Sequence, residues 1–481
     1  MSDFVPPKPE AHPRKLSLLR RFGKVRNSAL AVVYDRSYSM QLGDVWTPLR
    51  TVYFVNQPEL VDRILVKEWE HFPKSNLMNT MLELLLGQSI FITNGALWRR
   101  QRKMIDPAFE GARVHDVFPL MRDAALAMGE RLSHYQDGQV VPVDVEMMHV
   151  AADIIFRTIY SRPFRRDEAT TIFKAFTRFQ ELAYARGVWS MAGVPDWLSI
   201  GRLRAWRHAR VVRNLLSSAL DERLDASDAE KPRTDILSSL LKARDPETSK
   251  PFTRKELVDQ IGILFLAGHE TSASALAWAL YLLANRPDIQ ERLHQEAVSV
   301  FGNGLPVFRH TKHLRLARDV FRETLRLYPP VAFIPRDATR TETMRDKVIK
   351  AGAILFMSPW LLHRHRKLWD RPDEFDPDRF ADPATKESVR SAYLPFSAGP
   401  RVCLGASFAM QEAVLILACL ARDFRFEPVA GHTPKPVSRL TLRSENGISL
   451  RMFRRPREAN PAASNGEAAE LVEAPAGCPF H

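Results

Sequence analysis

The segment Phe396-Ser397-Ala398-Gly399-Pro400-Arg401-Val402-Cys403-Leu404-Gly405 sets a single cysteine in a glycine-bracketed loop just ahead of an apolar, helix-like run from Ala406 to Leu420. A thiol placed there is expected to ionise readily, because loop N–H groups and the positive end of the following helix both favour thiolate over thiol. Cys403 is therefore suited to be a nucleophile or a metal ligand. Gly399 and Gly405 are expected to let the backbone turn tightly and approach a flat ligand, and Arg401, two residues from the thiol, can pair with an anion on that ligand. A structural cysteine would also fit a loop, although Cys419, inside the apolar run, suits that description better.

Upstream, Val258 to Leu283 runs without proline and follows Thr253-Arg-Lys-Glu256, a capping-box pattern. The spacing predicts a helix of about 39 Å. In its middle lies Ala267-Gly268-His269-Glu270-Thr271-Ser272. A mid-helix glycine costs about 1 kcal/mol relative to alanine, so Gly268 is expected either to let a planar cofactor or diatomic ligand approach or to let another helix pack closely. Glu270 and Thr271 can form a proton relay and open a local bulge, or be two ordinary polar residues. His269 is read as a packing or surface residue.

Two further segments carry charge in a pattern. In Phe321-Arg-Glu323-Thr-Leu-Arg326, the acid and base stand at i and i+3, which by spacing alone is an exposed pair worth a few tenths of a kcal/mol. If Arg379 of Phe375-Asp-Pro-Asp-Arg379-Phe380 meets them in the interior, the three become a hydrogen-bonded ion network. Trp98-Arg-Arg-Gln-Arg102 puts an indole donor and a guanidinium one helical turn apart, able to reach the same carboxylate. Arg99, Arg100 and Lys103 then point elsewhere, as a basic patch or a solvated face.

The remaining sequence sets the frame. The 481 residues are 45% hydrophobic and 26% charged, with a net charge of +13, a soluble globular balance too mildly basic to suggest a nucleic-acid binder. Three cysteines, Cys403, Cys419 and Cys478, make neither a disulfide framework nor a zinc site. No apolar run reaches transmembrane length and no signal-peptide core is present, so a cytoplasmic location is expected. Apolar and basic residues alternate from Leu16 to Val33, fitting an arm that folds back on the domain or a contact with a membrane surface. Helical periods dominate, with β-like runs at Thr51 to Val55, Val348 to Phe356 and Leu440 to Leu450, where Asn446-Gly447 marks a hairpin turn. The expected class is mainly α with a minor β region. Three parts are expected: a basic N-terminal arm (1–40), one large domain (41–458) and a disordered acidic tail (459–481), with a polar surface connector between Asp225 and Lys250.

Taken together and in this order, the cysteine loop, the Ala-Gly-x-Glu-Thr helix, the Glu-x-x-Arg helix with its partner arginine and the Trp-x-x-x-Arg helix closely resemble the cytochrome P450 superfamily of heme-thiolate monooxygenases. The match covers the chain from about Trp98 to Ala409, and the cysteine loop is its most specific part. The resemblance implies the P450 fold, one heme b between the long helix and the cysteine loop, and Cys403 as the proximal iron ligand. It implies that Trp98, Arg102, Arg401 and Arg336 neutralise the heme propionates, and that Phe396 shields the sulfur. Ala267 and Gly268 then face the heme, Gly268 leaving room for dioxygen, while Glu270 and Thr271 deliver protons. The pocket is expected from Met78 to Ile92, Phe265 and nearby helix residues, Val331 to Ile334 and the loop near Thr441, apolar surroundings that favour a lipophilic fatty acid, terpenoid or steroid.

With no flavin or iron–sulfur motif in the chain, electrons are expected from a separate ferredoxin or flavodoxin with its reductase, docked by Arg99, Arg100 and Lys103. A peroxygenase or hydroperoxide-rearranging relative would share the thiolate but should lack Glu270-Thr271. A non-catalytic heme sensor would not need that relay. Cys478-Pro479 in the tail is either a spare thiol or a weak second heme site.

Overall fold

Thr253 caps the longest helix of the molecule: its hydroxyl accepts from the Glu256 N–H while the Glu256 carboxylate accepts from the Thr253 N–H at 2.8 Å. From that cap the chain stays helical through Arg254–Ala284, extending beyond the expected span at both ends. In the computed structural model, which describes residues 4–46, 51–199, 201–225 and 235–456, this helix is the central strut. Nearly every residue from Leu257 to Ala284 is buried, as an element hydrophobic all round must be.

The described helices, in chain order, are α1 (Leu18–Val25), α2 (Pro58–Asp62), α3 (Asn76–Leu86), α4 (Gly95–Ile105) and α5 (Gly111–Ser133). Next come α6 (Val143–Tyr160), α7 (Arg166–Met191), α8 (Arg202–Asp225), α9 (Ile236–Lys242) and the strut α10 (Arg254–Ala284). The last are α11 (Pro287–Phe301), α12 (Arg315–Leu327), α13 (Pro359–Leu362), α14 (Lys386–Ala392) and α15 (Ala406–Asp423). The strut packs most closely on α6 and also meets α3, α8, α11, α12 and α15.

The sheets are small. β1 (Leu42–Trp46), β2 (Thr51–Val55), β7 (Ile354–Met357) and β4 (Ile334–Asp337) form a four-stranded sheet in that order, in which only the β2–β7 pair is parallel. β3 (Gln139–Pro142), β11 (Ser449–Arg454) and β8 (Phe424–Pro428) form a second. β5 (Glu342–Met344) pairs with β6 (Lys347–Ile349), and β9 (Pro436–Ser438) with β10 (Leu442–Ser444). The class is mainly α with minor β, in one domain.

Asn446-Gly447 does not close a hairpin between the strands that flank it. β10 pairs back on β9 and β11 belongs to another sheet, so the turn carries the chain between sheets. Gly447 takes a left-handed φ of 74°, and Asn446 ties the turn to Lys435 N and Thr433 O. A local turn signal cannot report which sheet the next strand joins.

Glu323 and Arg326 of α12 are fully buried, not the exposed pair that i, i+3 spacing suggests. Arg326 Nε and Nη2 each lie 2.8 Å from a Glu323 carboxylate oxygen. Its remaining donor capacity goes to the carbonyls of His363, Pro372 and Glu374. Arg379 approaches Glu323 at 3.4 Å and donates to Asp370 O, so the loop ahead of the cysteine segment is fastened to α12.

Over its described residues the N-terminal stretch lies against the domain. Lys8 pairs with Asp373, the Tyr328 hydroxyl donates to Pro7 O at 2.8 Å, and Leu30 and Tyr38 are buried. In α1, Leu19 is exposed while Phe22 packs edge-on against Trp189. Within the expected connector, Ile236 to Lys242 form α9 with three buried apolar residues; positions 226–234 fall outside the described residues. The tail from 459 and Cys478 also lie outside them.

Candidate active site

The cysteine loop is shaped by backbone constraints. Cys403 N donates to Phe396 O at 3.0 Å, Val402 N donates to Gly399 O at 3.0 Å, and Ser397 and Gly399 take positive φ of 64° and 71°. A Cβ at Gly399 would stand 2.1 Å from Leu65 O, so the residue is glycine because protein backbone, rather than a ligand, approaches it. Gly405 differs. It precedes α15, lines the cavity, and a Cβ there would meet no protein atom within 4 Å.

Cys403 opens onto a cavity of about 730 Å³ that reaches from this loop to α1 and the end of α7. The expectation of a readily ionised thiol needs correction. Cys403 is exposed to the cavity, yet the protein packed around it desolvates the thiolate and pushes the thiol up, which the Gly405 N–H, Arg102 and Lys74 only partly offset. Loop amides and cations are present, as the sequence suggests, but the desolvation of a thiolate outweighs them.

Across the cavity, Ile263, Leu264, Ala267, Gly268, Thr271 and Ser272 form one face of α10. Phe265 points the other way, into an aromatic cluster with Phe156, Phe164 and His269, and does not line the pocket as expected. At Gly268 a Cβ would lie 2.7 Å from Ile155 Cγ1, so the missing carbon admits α6; the backbone alone faces the cavity. His269 is a packing residue, its Nδ1 2.8 Å from Phe265 O.

The helix shows no bulge at the relay pair. Thr271 Oγ1 donates to Ala267 O at 2.6 Å. Glu270 does not line the cavity: its carboxylate accepts from Gln180 Nε2 and, at 2.6 Å, from Thr441 Oγ1. Thr441 is thus turned from the pocket, which Arg439 and Leu440 line instead. Ser272 reaches behind the helix to Glu412 of α15, Oγ to Oε2 3.1 Å.

Beside the cysteine loop, cations gather without matching anions. Arg336 is buried, its guanidinium bonded among the described residues only to Pro335 O, and burial with Arg401 nearby pulls it down to about 9. Arg401 lies 4.3 Å over the Trp98 ring, bonds Thr93 O and Asn94, and leaves Nε without an acceptor among the described residues. Lys74 sits within hydrogen-bonding reach of Ile90 O and Phe91 O, and burial among Arg401, Arg336 and Arg102 drives it far below the usual lysine range. Of these four cations only Arg102 has a carboxylate partner among the described residues, Asp106 at 2.7 Å. All four line the cavity with Trp98 and Phe396. Such a cluster is costly alone, and a ligand bearing two carboxylates at the cavity edge would neutralise it. The residues therefore fit heme b.

Lys74, Gln180 and Glu412 escaped the sequence reading. None stands in a motif, and the partners of Gln180 and Glu412 lie 90 or more positions away. Lys74 was one of 69 basic residues with no repeat or spacing to mark it. The basic patch also changes. Arg100 is partly buried and bonded to Asp245 (2.9 Å) and Glu256 (2.5 Å), which ties α4 to the start of α10; Arg99 pairs with Glu70. Lys103 is exposed.

Comparison with known proteins points the same way. The family model described as Cytochrome P450 matches residues 6–452. Cyclooctatin synthase of Streptomyces melanosporofaciens is 32% identical over 410 residues, 85% of this chain and 87% of that protein. Cyclooctat-9-en-7-ol 5-monooxygenase of the same organism is 30% identical, covering 79% of this chain and 81% of its own. The crystal structure of the cytochrome P450DA heme domain superposes with a TM-score of 0.80 at 24% identity, covering 94% of this chain and 98% of that one.

Proposed function

The chain belongs to the cytochrome P450 family, and from that premise we propose which of its residues do the work and on what. It is a heme b protein and a monooxygenase, an oxidoreductase that uses O2 and draws electrons from a redox partner. When bound, the heme supplies the activation of O2 and the transfer of one oxygen atom to an otherwise inert carbon.

In this reading Cys403 is the iron ligand, and its thiol gives up its proton on metal binding. Phe396 covers the loop beside the sulfur, and the open space at Gly405 accommodates the flat ring. Arg336, Arg401, Arg102, Lys74 and Trp98 hold the two propionates, which relieves the charge crowding described above. Ala267 and Gly268 present backbone to the opposite side. Thr271 and Glu270 move protons, Thr271 at the cavity surface and Glu270 from behind it.

The observation that carries this reading is the thiol opening onto a large cavity, faced by Thr271 and flanked by the buried Arg336 and the half-buried Lys74 and Arg401, none of which has a carboxylate partner among the described residues. The substrate is a lipophilic small molecule: Leu77, Met78, Met81, Val331 and Phe333 line its chamber, a surface with few polar groups to satisfy. A relative named for cyclooctat-9-en-7-ol supports that class. The electron donor is a separate acidic ferredoxin or flavodoxin, and the free Cys419 fits the reducing cytoplasm.

The test is spectroscopic, then catalytic. Purified protein should be coloured, its reduced carbon monoxide complex should show the red-shifted absorption of thiolate ligation, and Cys403→Ser should abolish that absorption. A colourless protein, or absorption that survives the serine, would overturn the assignment. Turnover of NAD(P)H with a ferredoxin and its reductase separates a monooxygenase from a peroxide-only enzyme or a sensor.

A further inference from the structure

Three successive residues of α10 point three ways. Thr271 and Ser272 line the cavity, Ser272 reaching Glu412, while Glu270 is buried on the far side between α7 and the β9–β10 turn. Both Glu270 oxygens are engaged there. Gln180 Nε2 donates to Oε2, Thr441 Oγ1 donates to Oε1 at 2.6 Å, and Arg443 Nη1 donates to Gln180 Oε1 at 3.4 Å. Thr271 is also turned inward, onto Ala267 O. Successive helix residues stand about 100° apart, so the carboxyl and the Thr271 hydroxyl can meet only if a side chain swings.

We infer that Gln180 and Thr441 are positioning residues that hold Glu270 off the cavity between proton deliveries, and that its proton is replaced from solvent on the Thr441–Arg443 side. The inference rests on the reading of Glu270 and Thr271 as the proton relay.

The physical basis is the difference between the two forms of the carboxyl. As a carboxylate, Glu270 accepts two hydrogen bonds strengthened by its charge, and leaving them for an apolar cavity is costly. As a neutral acid it is held less firmly and enters the cavity more cheaply. In each cycle one proton passes from the Glu270 carboxyl to the Thr271 side, and the resulting carboxylate is drawn back to Gln180 and Thr441. There it takes one proton from water, and the count balances. Thr441 and Arg443 are half-buried, whereas Gln180 is buried, so solvent reaches the group from the β9–β10 turn.

The experiment uses the holoenzyme with NADPH, a ferredoxin and its reductase, without added substrate. It reads the fraction of NADPH electrons recovered as hydrogen peroxide and the solvent deuterium isotope effect on NADPH oxidation. The carbon monoxide absorption of each variant checks that Cys403 ligation is intact. Gln180→Leu and Thr441→Val should move both readouts toward those of Glu270→Gln by about twofold or more. Thr441→Ser should restore the wild-type values, and Gln180→Leu combined with Glu270→Gln should show nothing beyond Glu270→Gln alone. If Glu270→Gln alters both readouts while Gln180→Leu and Thr441→Val leave them at wild type, the holding role is wrong and the relay stands. If Glu270→Gln itself changes neither, the relay reading fails and this inference with it.

Discussion

Glu412 carries a carboxyl into the interior of α15 with a single partner, the Ser272 hydroxyl, and leaves Oε1 without one among the described residues. Burial pushes it up to about 8, against an ordinary value of 4.5. The acid therefore stays protonated at neutral pH in the fold but ionises in the unfolded chain. Between pH 4.5 and about 8 the folded state binds the extra proton, so the contribution of this group to stability is greatest below 4.5 and falls as pH rises through that window. The slope from this group is about 1.4 kcal/mol per pH unit. Glu412→Gln keeps an acceptor for Ser272 and removes the titration. Its unfolding midpoint should match wild type near pH 4.5 and rise progressively above it as pH approaches 8, while the carbon monoxide absorption is unchanged. A difference that stays constant over that range would show that Glu412 does not titrate there.

At the level of elements, the Glu323–Arg326–Arg379 network shows what spacing can and cannot tell. The i, i+3 pair was legible in the sequence, but its burial depends on the loop that folds over α12 and supplies three carbonyls to Arg326. Glu323→Ala leaves two guanidinium groups buried without their anion and should cost about 3–5 kcal/mol, measured as a lower unfolding midpoint and reduced heme content. A loss below 1 kcal/mol would mean the loop opens to water and relieves the charge. The same distinction explains the other outcomes. The Thr253 cap, the strands at Thr51–Val55 and the cysteine loop were readable because local spacing determines them. Gly268 was left open between a ligand and a helix neighbour, and only the approach of Ile155 decides it. Of Phe265 and its helix neighbours, Ile263, Leu264 and Ala267 share the cavity face and Phe265 does not, a distinction hidden in the sequence because a helix hydrophobic all round has no periodicity to say which side is hollow.

Over the whole molecule the net charge of +13 matters through where it reaches the surface. Around the cysteine loop Val66, Leu97 and Val402 are each about 37% exposed, and α4, which carries Leu97, also carries the exposed Lys103 and the exposed Arg99 with its partner Glu70. Electrostatic steering acts through such exposed charges on the rate of encounter. Arg100, placed in the patch by sequence, instead serves the fold through Asp245 and Glu256. The two roles separate by experiment. Arg99→Glu with Lys103→Glu should slow reduction of the protein by an acidic ferredoxin about tenfold at low ionic strength, with the difference vanishing near 1 M salt, where screening acts within about 3 Å. Melting temperature and carbon monoxide absorption should stay at wild type. Arg100→Glu should do the opposite: three acids then crowd one site, the unfolding midpoint falls, and the salt dependence of reduction in the folded fraction matches wild type. Equal rates and equal salt slopes for the Arg99 and Lys103 reversals would place the electron donor on another face.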